Sequence, residues 1–489
     1  MTPLAWIALG TVLLLAGAVV LWAVRRTREA IRGWFRRTVL RVVHRFRVRL
    51  DRYKLVRRNV VRDALLHDHR VNAAMVEHSR VHDLPEPEVR ARVESYIREI
   101  VPFFNVLSYY KLGYNLARIL VNLVYRASIT YADRARLETI PRNDVVVYLM
   151  NHRSNADYVV VAYVLAEGVS ISYAVGEWAR VWPLEYVFKS FGSYFVRRRY
   201  REPLYHTVLE RYVQLITRNG VTQGIFLEGG LTRDGLLRPP KIGLLDYIAR
   251  TLRDEQFDRD IWFVPVGINY DRVLEDRTLI HELEEGVQRK SRRQRLARVG
   301  HYAGWNMLRL LTGRLRRYGR VAVNFGTPVS IRAWVAEHPG VLELPREERR
   351  PHIQELADLM LARIADVIPV TAVPLTAAAL LSFGETAVSR SALLDRIEGF
   401  RTHLIERDAK LVHADRDAEA ILDRASRTFR MRRLVQREGE TYVILPSQRP
   451  LLEYYANSIG HLLPRGSAPQ GTMHPAREPD AGLPRLRKT

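Results

Sequence analysis

The sequence contains no cysteine among its 489 residues. Disulfides, thiolate-ligated zinc sites and cysteine nucleophiles are therefore excluded, and the absence fits a reducing compartment. Acidic side chains are also scarce relative to basic ones, with 53 Asp and Glu against 77 Lys and Arg, which gives a net charge of +24. An excess of this size indicates an anionic partner, either nucleic acid, an anionic membrane surface or phosphorylated substrates.

Charge is missing altogether from residues 4–24, LAWIALGTVLLLAGAVVLWAV. About 20 apolar residues are needed to cross a bilayer core, so this stretch predicts a transmembrane anchor. We assign residues 1–24 to this anchor. Nothing basic precedes the stretch and six arginines follow between Arg25 and Arg37. The positive-inside rule then places the rest of the chain in the cytoplasm. A cleaved signal peptide is the alternative, but a basic leader and a convincing cleavage site are both lacking.

The next segments are predicted to be helical. Residues 25–58 interleave arginines with apolar residues, which favours a basic amphipathic helix on anionic headgroups over a solvated helix packed on an enzyme domain. Residues 59–140 are predicted to form a helical N-terminal region. Within it, residues 101–129 are rich in aromatic and aliphatic side chains, which leaves two interpretations open: an element at the bilayer interface or a helix covering a sheet.

From residue 141 apolar runs alternate with helical patterns. The runs lie at 145–150, 170–175, 193–196, 224–227 and 262–268, and one helical segment lies at 203–218. This alternation predicts an α/β fold with a mixed, largely parallel central sheet flanked by helices, over a catalytic domain at 141–335. A further run at 321–331 is interpreted as a late strand that leaves the core.

Residues 336–463 are predicted to form a C-terminal helical domain ending in a hairpin near Gly439. The apolar run at 367–383 contains two prolines, which favours a helix of this domain or an interfacial segment over a membrane crossing. Helices followed by a hairpin are typical of winged-helix modules, so a membrane-tethered nucleic-acid-binding protein is one alternative function. Residues 464–489 are rich in Pro and Gly and are predicted to be disordered.

A polar turn, NHRSNAD, follows the run at 145–150 and contains His152 and Asp157. A carboxylate beside a histidine fixes the tautomer of the imidazole and stabilises its protonated form, so the pair can act as an oriented base. The spacing alone is weak evidence, since most such pairs are capping or solvated residues.

Three later stretches strengthen this interpretation: FGSYFVRRRY (191–200), FLEGGLTRDGLLRPPK (226–241) and VPVGINYDRVLE (264–275). In this order after NHRSNAD, they resemble the four sequence blocks of the glycerolipid acyltransferases. The resemblance is strongest to the membrane-bound glycerol-3-phosphate 1-O-acyltransferases of bacteria and their dihydroxyacetone-phosphate relatives. It is close over residues 140–330 and looser from there to about residue 462.

The resemblance implies a reaction and its site. His152 is the base and Asp157 orients it, while a fatty acyl group passes from a thioester to the 1-hydroxyl of glycerol 3-phosphate, the first step of phospholipid synthesis. Acyl-CoA or an acyl-acyl carrier protein is the implied co-substrate, with no metal, no organic cofactor and no nucleic-acid partner. The expected location is the inner (cytoplasmic) membrane, with the catalytic domain on its cytoplasmic side.

The resemblance also implies substrate-binding residues, by their positions in the blocks: Arg197, Arg198, Glu228, Gly229, Arg233, Lys241 and Pro265. Arginine can hold a phosphate through two parallel hydrogen bonds, which lysine cannot. One position departs from the family pattern, because Leu231 follows the paired glycines where the family has an arginine. The missing cation leaves dihydroxyacetone phosphate or a lysophospholipid open as the acceptor.

Overall fold

The computed structural model describes residues 58–103, 114–129, 131–165, 171–180, 184–197, 200–284, 318–384, 387–412 and 415–464. The predicted anchor at 4–24, the basic segment up to residue 57 and the tail after residue 464 lie outside these ranges. Among the described residues, no helix combines the length and apolar character that a membrane crossing requires.

The centre of the fold is an eight-stranded sheet. Its strands are β1 (Arg126–Ser128), β2 (Val145–Met150), β3 (Ser172–Gly176), β4 (Tyr194–Val196), β5 (Gln223–Phe226), β6 (Ile261–Tyr270), β7 (Arg320–Phe325) and β8 (Val329–Ser330). The order is β1-β7-β6-β2-β5-β3-β4, with β8 pairing on β6. Within the described part of this sheet, only the pairs of β6 with β7 and with β8 are antiparallel, so the predicted largely parallel sheet is confirmed.

One strand differs from the prediction. The run at 321–331 was expected to leave the core, whereas β7 lies inside the sheet between β1 and β6. Its residues Val321, Ala322 and Val323 are fully buried. Strand β7 ends at Phe325, and after three more residues the chain forms the short strand β8. Both strands run antiparallel to β6, a direction that apolar character alone does not reveal.

Helices cover both faces of the sheet. In chain order they are α1 (Arg58–Leu66), α2 (His69–His82), α3 (Glu86–Ile100), α4 (Tyr114–Val124), α5 (Arg134–Glu138), α6 (Asp157–Leu165), α7 (Leu184–Ser190), α8 (Pro203–Arg218), α9 (Gly243–Ala249), α10 (Asp276–Glu284), α11 (Ile331–Glu337) and α12 (Arg346–Asp366). The predicted helix at 203–218 is confirmed in both bounds. Its first residue is Pro203, which suits the first turn because proline has no amide hydrogen to pair.

The C-terminal part adds helices α13 (Ala372–Leu381), α14 (Arg390–Glu406), α15 (Ala418–Arg432) and α16 (Arg449–Asn457). It also contains a small antiparallel sheet of β9 (Ala387–Ser389), β10 (Val435–Glu438) and β11 (Thr441–Ile444). The predicted hairpin is β10–β11, turning at Gly439 with φ of +59°, but α16 follows it. The apolar run at 367–383 contains α13, a helix whose residues are all buried.

Strand β2 shows how the two faces are filled. Val145, Val147 and Leu149 pack in one apolar cluster with α8, α9 and α12. Tyr148 and Met150, which point the other way because strand side chains alternate, pack in a second cluster with α6, α13 and α16. The C-terminal helices therefore share a core with the sheet, and the proposed division of the chain at 335 remains a prediction.

Candidate active site

The site lies where three neighbouring strands end. Strand β2 is paired in parallel with β5 on one side and with β6 on the other. The carboxyl ends of parallel strands meet at one edge of a sheet, where loops are free to carry polar side chains. His152 follows β2 and Glu228 follows β5, so two sequence blocks separated by 76 residues reach the same edge.

The predicted pair is formed. Nδ1 of His152 lies 2.9 Å from Oδ2 of Asp157, and the two side chains are 1% and 0% exposed. The imidazole stacks on the ring of Phe226, with centroids 4.0 Å apart. Because Nδ1 donates to the carboxylate, Nε2 is the nitrogen whose lone pair can accept a proton. The geometry therefore fits a general base that is held in one tautomer.

Asp157 is itself held in place. Its Oδ2 accepts from the backbone N–H groups of Arg153 at 2.8 Å and Ser154 at 3.0 Å. Its Oδ1 accepts from the hydroxyl of Tyr270 at 2.5 Å. Tyr270 is the last residue of β6, which continues past the end of β2 and so delivers this hydroxyl. Tyr270 was not among the predicted site residues, although it lies in the fourth block.

Glu228 organises the loop backbone. Its Oε1 accepts from the backbone N–H of His152 at 2.8 Å, and its Oε2 accepts from that of Arg238 at 2.9 Å. Burial raises the pKa of this carboxyl to about 7, although both hydrogen bonds and the nearby Arg153 lower it. The structure thus gives Glu228 a bracing contact with the base. Gly229 follows in the left-handed region with φ of +66°, and a β-carbon there would lie 2.8 Å from Cγ of Lys241.

Glu275 was not predicted and supports the same loop from the other side. Its Oε2 accepts from the Ser154 hydroxyl at 2.7 Å, and its Oε1 accepts from the backbone N–H of Asn155 at 3.2 Å. Burial raises the pKa of the Glu275 carboxyl, and the neighbouring Asp157 adds to that rise. A glutamate five residues after the end of β6 carries no spacing signal in one sequence, which is why it was missed.

Arg153 was also missed. It is 3% exposed, donates from Nη1 to the carbonyl oxygen of Gly235 at 2.8 Å, and lies with its guanidinium 4.8 Å from the ring centroid of Tyr454. Its Nε and Nη2 have no hydrogen-bond partner in the described part of the chain. The amide of Asn457 donates to the carbonyl of Asp234 at 2.8 Å, so α16 backs the same loop. The C-terminal helix thus supports the site.

Two of the predicted phosphate cations, Arg197 and Arg233, lie beside carboxylates in the structure. Arg197 forms a two-pronged ion pair with Glu99, at 2.8 and 2.6 Å, and Arg180 also contacts this glutamate at 2.8 Å. Arg233 lies near Glu282 at 3.4 Å, and Arg198 lies outside the described residues. No hydrogen bond or ion pair within the described ranges joins Arg197 to the His152 loop. Hydrogen bonds join His152 to Asp157 and to Glu228, and the Lys241 side chain packs beside Gly229. Arg197 makes none of these contacts.

Pro265 occupies the middle of β6, opposite Leu149 in the register with β2. Its carbonyl accepts from the backbone N–H of Gly326 at 2.9 Å, and a β-carbon on Gly326 would lie 2.9 Å from Cγ of Pro265. Within the described ranges, no group of three His, Asp or Glu side chains has the geometry to hold a metal ion.

A family model for an acyltransferase domain matches residues 134–269, and a model described as the glycerol-3-phosphate acyltransferase C-terminal region matches residues 304–468. A glycerol-3-phosphate acyltransferase from Aeromonas hydrophila subsp. hydrophila is 30% identical over 84% of this chain and 50% of its own length. One from Actinobacillus succinogenes is 28% identical over the same shares. The chain thus spans about half the length of the curated relatives it matches.

Among solved structures, the chain is similar to a 1-acyl-sn-glycerophosphate acyltransferase, PlsC, from Thermotoga maritima. The identity is 16% and the TM-score is 0.31, over 53% of this chain and 80% of that chain.

Proposed function

Because this chain is a homologue of the glycerol-3-phosphate acyltransferases, we propose that it transfers a fatty acyl group from a thioester to the 1-hydroxyl of glycerol 3-phosphate. The observation that carries the proposal is the buried contact between Nδ1 of His152 and Oδ2 of Asp157, at 2.9 Å. It provides a base whose tautomer and orientation are fixed before the substrate arrives.

In the proposed reaction, Nε2 of His152 takes the proton from the 1-hydroxyl as the oxygen attacks the thioester carbonyl carbon. The carbon–oxygen bond forms, and negative charge moves to the carbonyl oxygen of a tetrahedral intermediate. The intermediate collapses with loss of the thiolate, which receives the proton from the imidazolium. The products are the oxygen ester and the free thiol, and the base is restored. Asp157 stabilises the imidazolium throughout.

The phosphate of the acceptor requires cations. Arg233 and Lys241 lie on the loop that Glu228 braces, and Arg197 and Arg198 remain proposed phosphate ligands. Arg197 and Arg180 together carry two positive charges against one on Glu99, so that cluster keeps a net charge of about +1 to attract an anion. Gly229, which allows a close approach of backbone to ligand, and Pro265, on the acyl side, complete the proposed substrate-binding set.

The acceptor is tested by an assay of the full chain in membranes, with an acyl thioester and either glycerol 3-phosphate, dihydroxyacetone phosphate or a lysophospholipid. Leu231 keeps the alternatives open, because it packs against the apolar core and supplies no cation after the paired glycines. We expect glycerol 3-phosphate to give the highest kcat/KM. Preference for another acceptor would reassign the substrate, and transfer to none would contradict the proposed activity.

The same proposal includes a membrane location, with residues 4–24 as a retained anchor, residues 25–58 on anionic headgroups and the catalytic domain on the cytoplasmic side. No cofactor is proposed, the acyl thioester being a co-substrate. Deleting residues 1–24 should reduce the fraction of protein that sediments with membranes. Full sedimentation of the truncated chain would remove the need for the anchor.

A further inference from the structure

A groove that the proposed chemistry does not use lies between α15 and the β10–β11 hairpin. Its volume is about 890 Å³, within the range of about 300–1,000 Å³ that small-molecule sites occupy. Its floor is apolar and includes Phe429 and Tyr442, which are 2% and 5% exposed. Its charged lining residues are four arginines and one carboxylate: Arg427, Arg430, Arg433, Arg437 and Asp423.

The four arginines of the groove outnumber the two carboxylates beside them, Asp423 and Glu440, which leaves a net charge of +2. Arg437 is paired with Glu440 at 2.5 Å, at the hairpin turn. In the part of the chain that the structure describes, neither Arg430 nor Arg433 forms a salt bridge. By contrast, the neighbouring Arg432 points into the core and pairs with Asp276 at 2.8 Å. The helix thus sends one arginine inward to a partner and presents the others to the groove.

The spacing of the arginines suits a phosphate group. Arg427 and Arg430 lie three positions apart and therefore on the same side of α15, and Arg433 follows directly after the last residue of that helix. Arg433 has φ of +54°, in the left-handed region where glycine would cost least. All four basic residues of the groove are arginine, whose planar guanidinium binds phosphate through two parallel hydrogen bonds.

We propose that this groove is a second anion site, separate from the acyl-transfer site, and that it binds a phosphorylated ligand through Arg430 and Arg433. The phosphate belongs either to a phospholipid headgroup or to a soluble phosphorylated compound. The competing structural explanation is that cations at the end of α15 only stabilise the helix dipole. This inference rests on the groove alone and does not depend on the proposed acyl transfer.

The test is calorimetric titration of the full chain with inorganic pyrophosphate, compared between the wild type and two double variants. The double variant R430K/R433K keeps the charge at the helix end but loses the two-pronged geometry. The matched control is R363K/R407K, which changes two exposed arginines at the C-terminal ends of α12 and α14, outside the groove. Thermal unfolding of each variant measures the structural contribution.

We expect the pyrophosphate Kd of R430K/R433K to rise about tenfold or more, while its melting temperature stays at the wild-type value. The control R363K/R407K should keep the wild-type Kd. An unchanged Kd, or an equal rise in the control, would overturn the proposal. Competition identifies the source of the phosphate. Displacement of pyrophosphate by phosphatidylcholine vesicles containing phosphatidate, but not by vesicles without it, indicates a lipid headgroup. Displacement only by soluble sugar or nucleoside phosphates indicates a soluble ligand, whereas failure of both would contradict the site.

Discussion

The backbone N–H of His152 donates to Oε1 of Glu228 at 2.8 Å, which joins the end of β2 to the end of β5. A second bond runs the other way along the loops, from the N–H of Thr232 to the carbonyl oxygen of His152 at 3.1 Å. The proposed base is therefore fixed through its own backbone by the loop that carries the paired glycines. A change in Glu228 should act on His152 without touching its side chain.

Glu228→Gln tests this coupling through pH. Burial raises the pKa of Glu228 to about 7, above its ordinary 4.5, so the folded state favours the protonated carboxyl. The stability contribution is fully present below about pH 4.5 and is lost as the pH rises towards 7, which at 1.36 kcal/mol per unit amounts to roughly 3 kcal/mol. Denaturant unfolding of the wild type should show this loss over that range.

The Gln variant carries no titratable group and should lose this part of the pH dependence. The two backbone N–H groups bond to different oxygens of Glu228, and glutamine has an NH2 group in place of one of them. One hydrogen bond is therefore lost, and we also expect kcat to fall. The same slope of stability against pH in both proteins would show that Glu228 does not titrate there. Glu355, an exposed residue of α12, offers a surface control as Glu355→Gln.

Gly235→Ala tests the packing of α16 on the catalytic loop. Gly235 has φ of +87°, and a β-carbon there would lie 2.0 Å from the carbonyl oxygen of Tyr454. Backbone strain of this kind costs about 1–3 kcal/mol, and displacement of α16 adds to it. We expect a lower unfolding free energy and a lower kcat/KM, because the carbonyl of Gly235 also accepts from Arg153.

The control is Gly243→Ala in the first turn of α9, where a β-carbon meets nothing within 4 Å. This variant should be as stable as the wild type or more stable, by up to about 1 kcal/mol, because alanine favours helix. Equal unfolding free energies and equal kcat/KM values for the two alanine variants would argue against a tight contact between the loop and α16.

Arg432→Met tests the link between the C-terminal helices and the site. Arg432 and Asp276 form a buried ion pair at 2.8 Å, and the Tyr455 hydroxyl donates to the second oxygen of Asp276 at 2.5 Å. Removing one partner of such a pair costs about 3–5 kcal/mol, because the remaining charge stays buried. Urea unfolding should show this loss in Arg432→Met and only about 0.5 kcal/mol in Arg427→Met, an exposed position of the same helix.

The double variant Arg432→Met/Asp276→Leu should be less destabilised than the two single changes combined, since it leaves no unpaired charge. Strict additivity would indicate that the pair is not coupled. Because Asp276 follows Glu275, we also expect the single variant to lower kcat through the Ser154 contact.

Much of the sheet could be predicted, because buried parallel strands are short apolar runs between turns. The run at 145–150 is β2 residue for residue, and those at 224–227 and 262–268 fall within one to two residues of β5 and β6. Pairing directions were harder to predict. The antiparallel insertion of β7 depends on which neighbour the chain meets after the segment 276–320, and apolar composition contains no such information.

The His152–Asp157 contact was predictable for a physical reason. Both residues lie in one turn, so local geometry decides whether they meet. Tyr270, Glu275 and Arg153 act through contacts between distant segments, and one sequence does not show which buried polar groups will face each other. The pairing of Arg197 with Glu99 was missed for the same reason, since 98 residues separate the two.

The central claim is that His152 acts as a base oriented by Asp157. The most direct measurement compares kcat for acyl transfer in wild type, His152→Ala and Asp157→Asn, each verified as folded by circular dichroism. Removal of a positioned base lowers rates by about 10²–10⁴, so His152→Ala should fall at least that far. Asp157→Asn, which keeps the size of the side chain but can stabilise the wrong tautomer, should fall by about 10² or more. Near-normal kcat in folded His152→Ala would contradict the account.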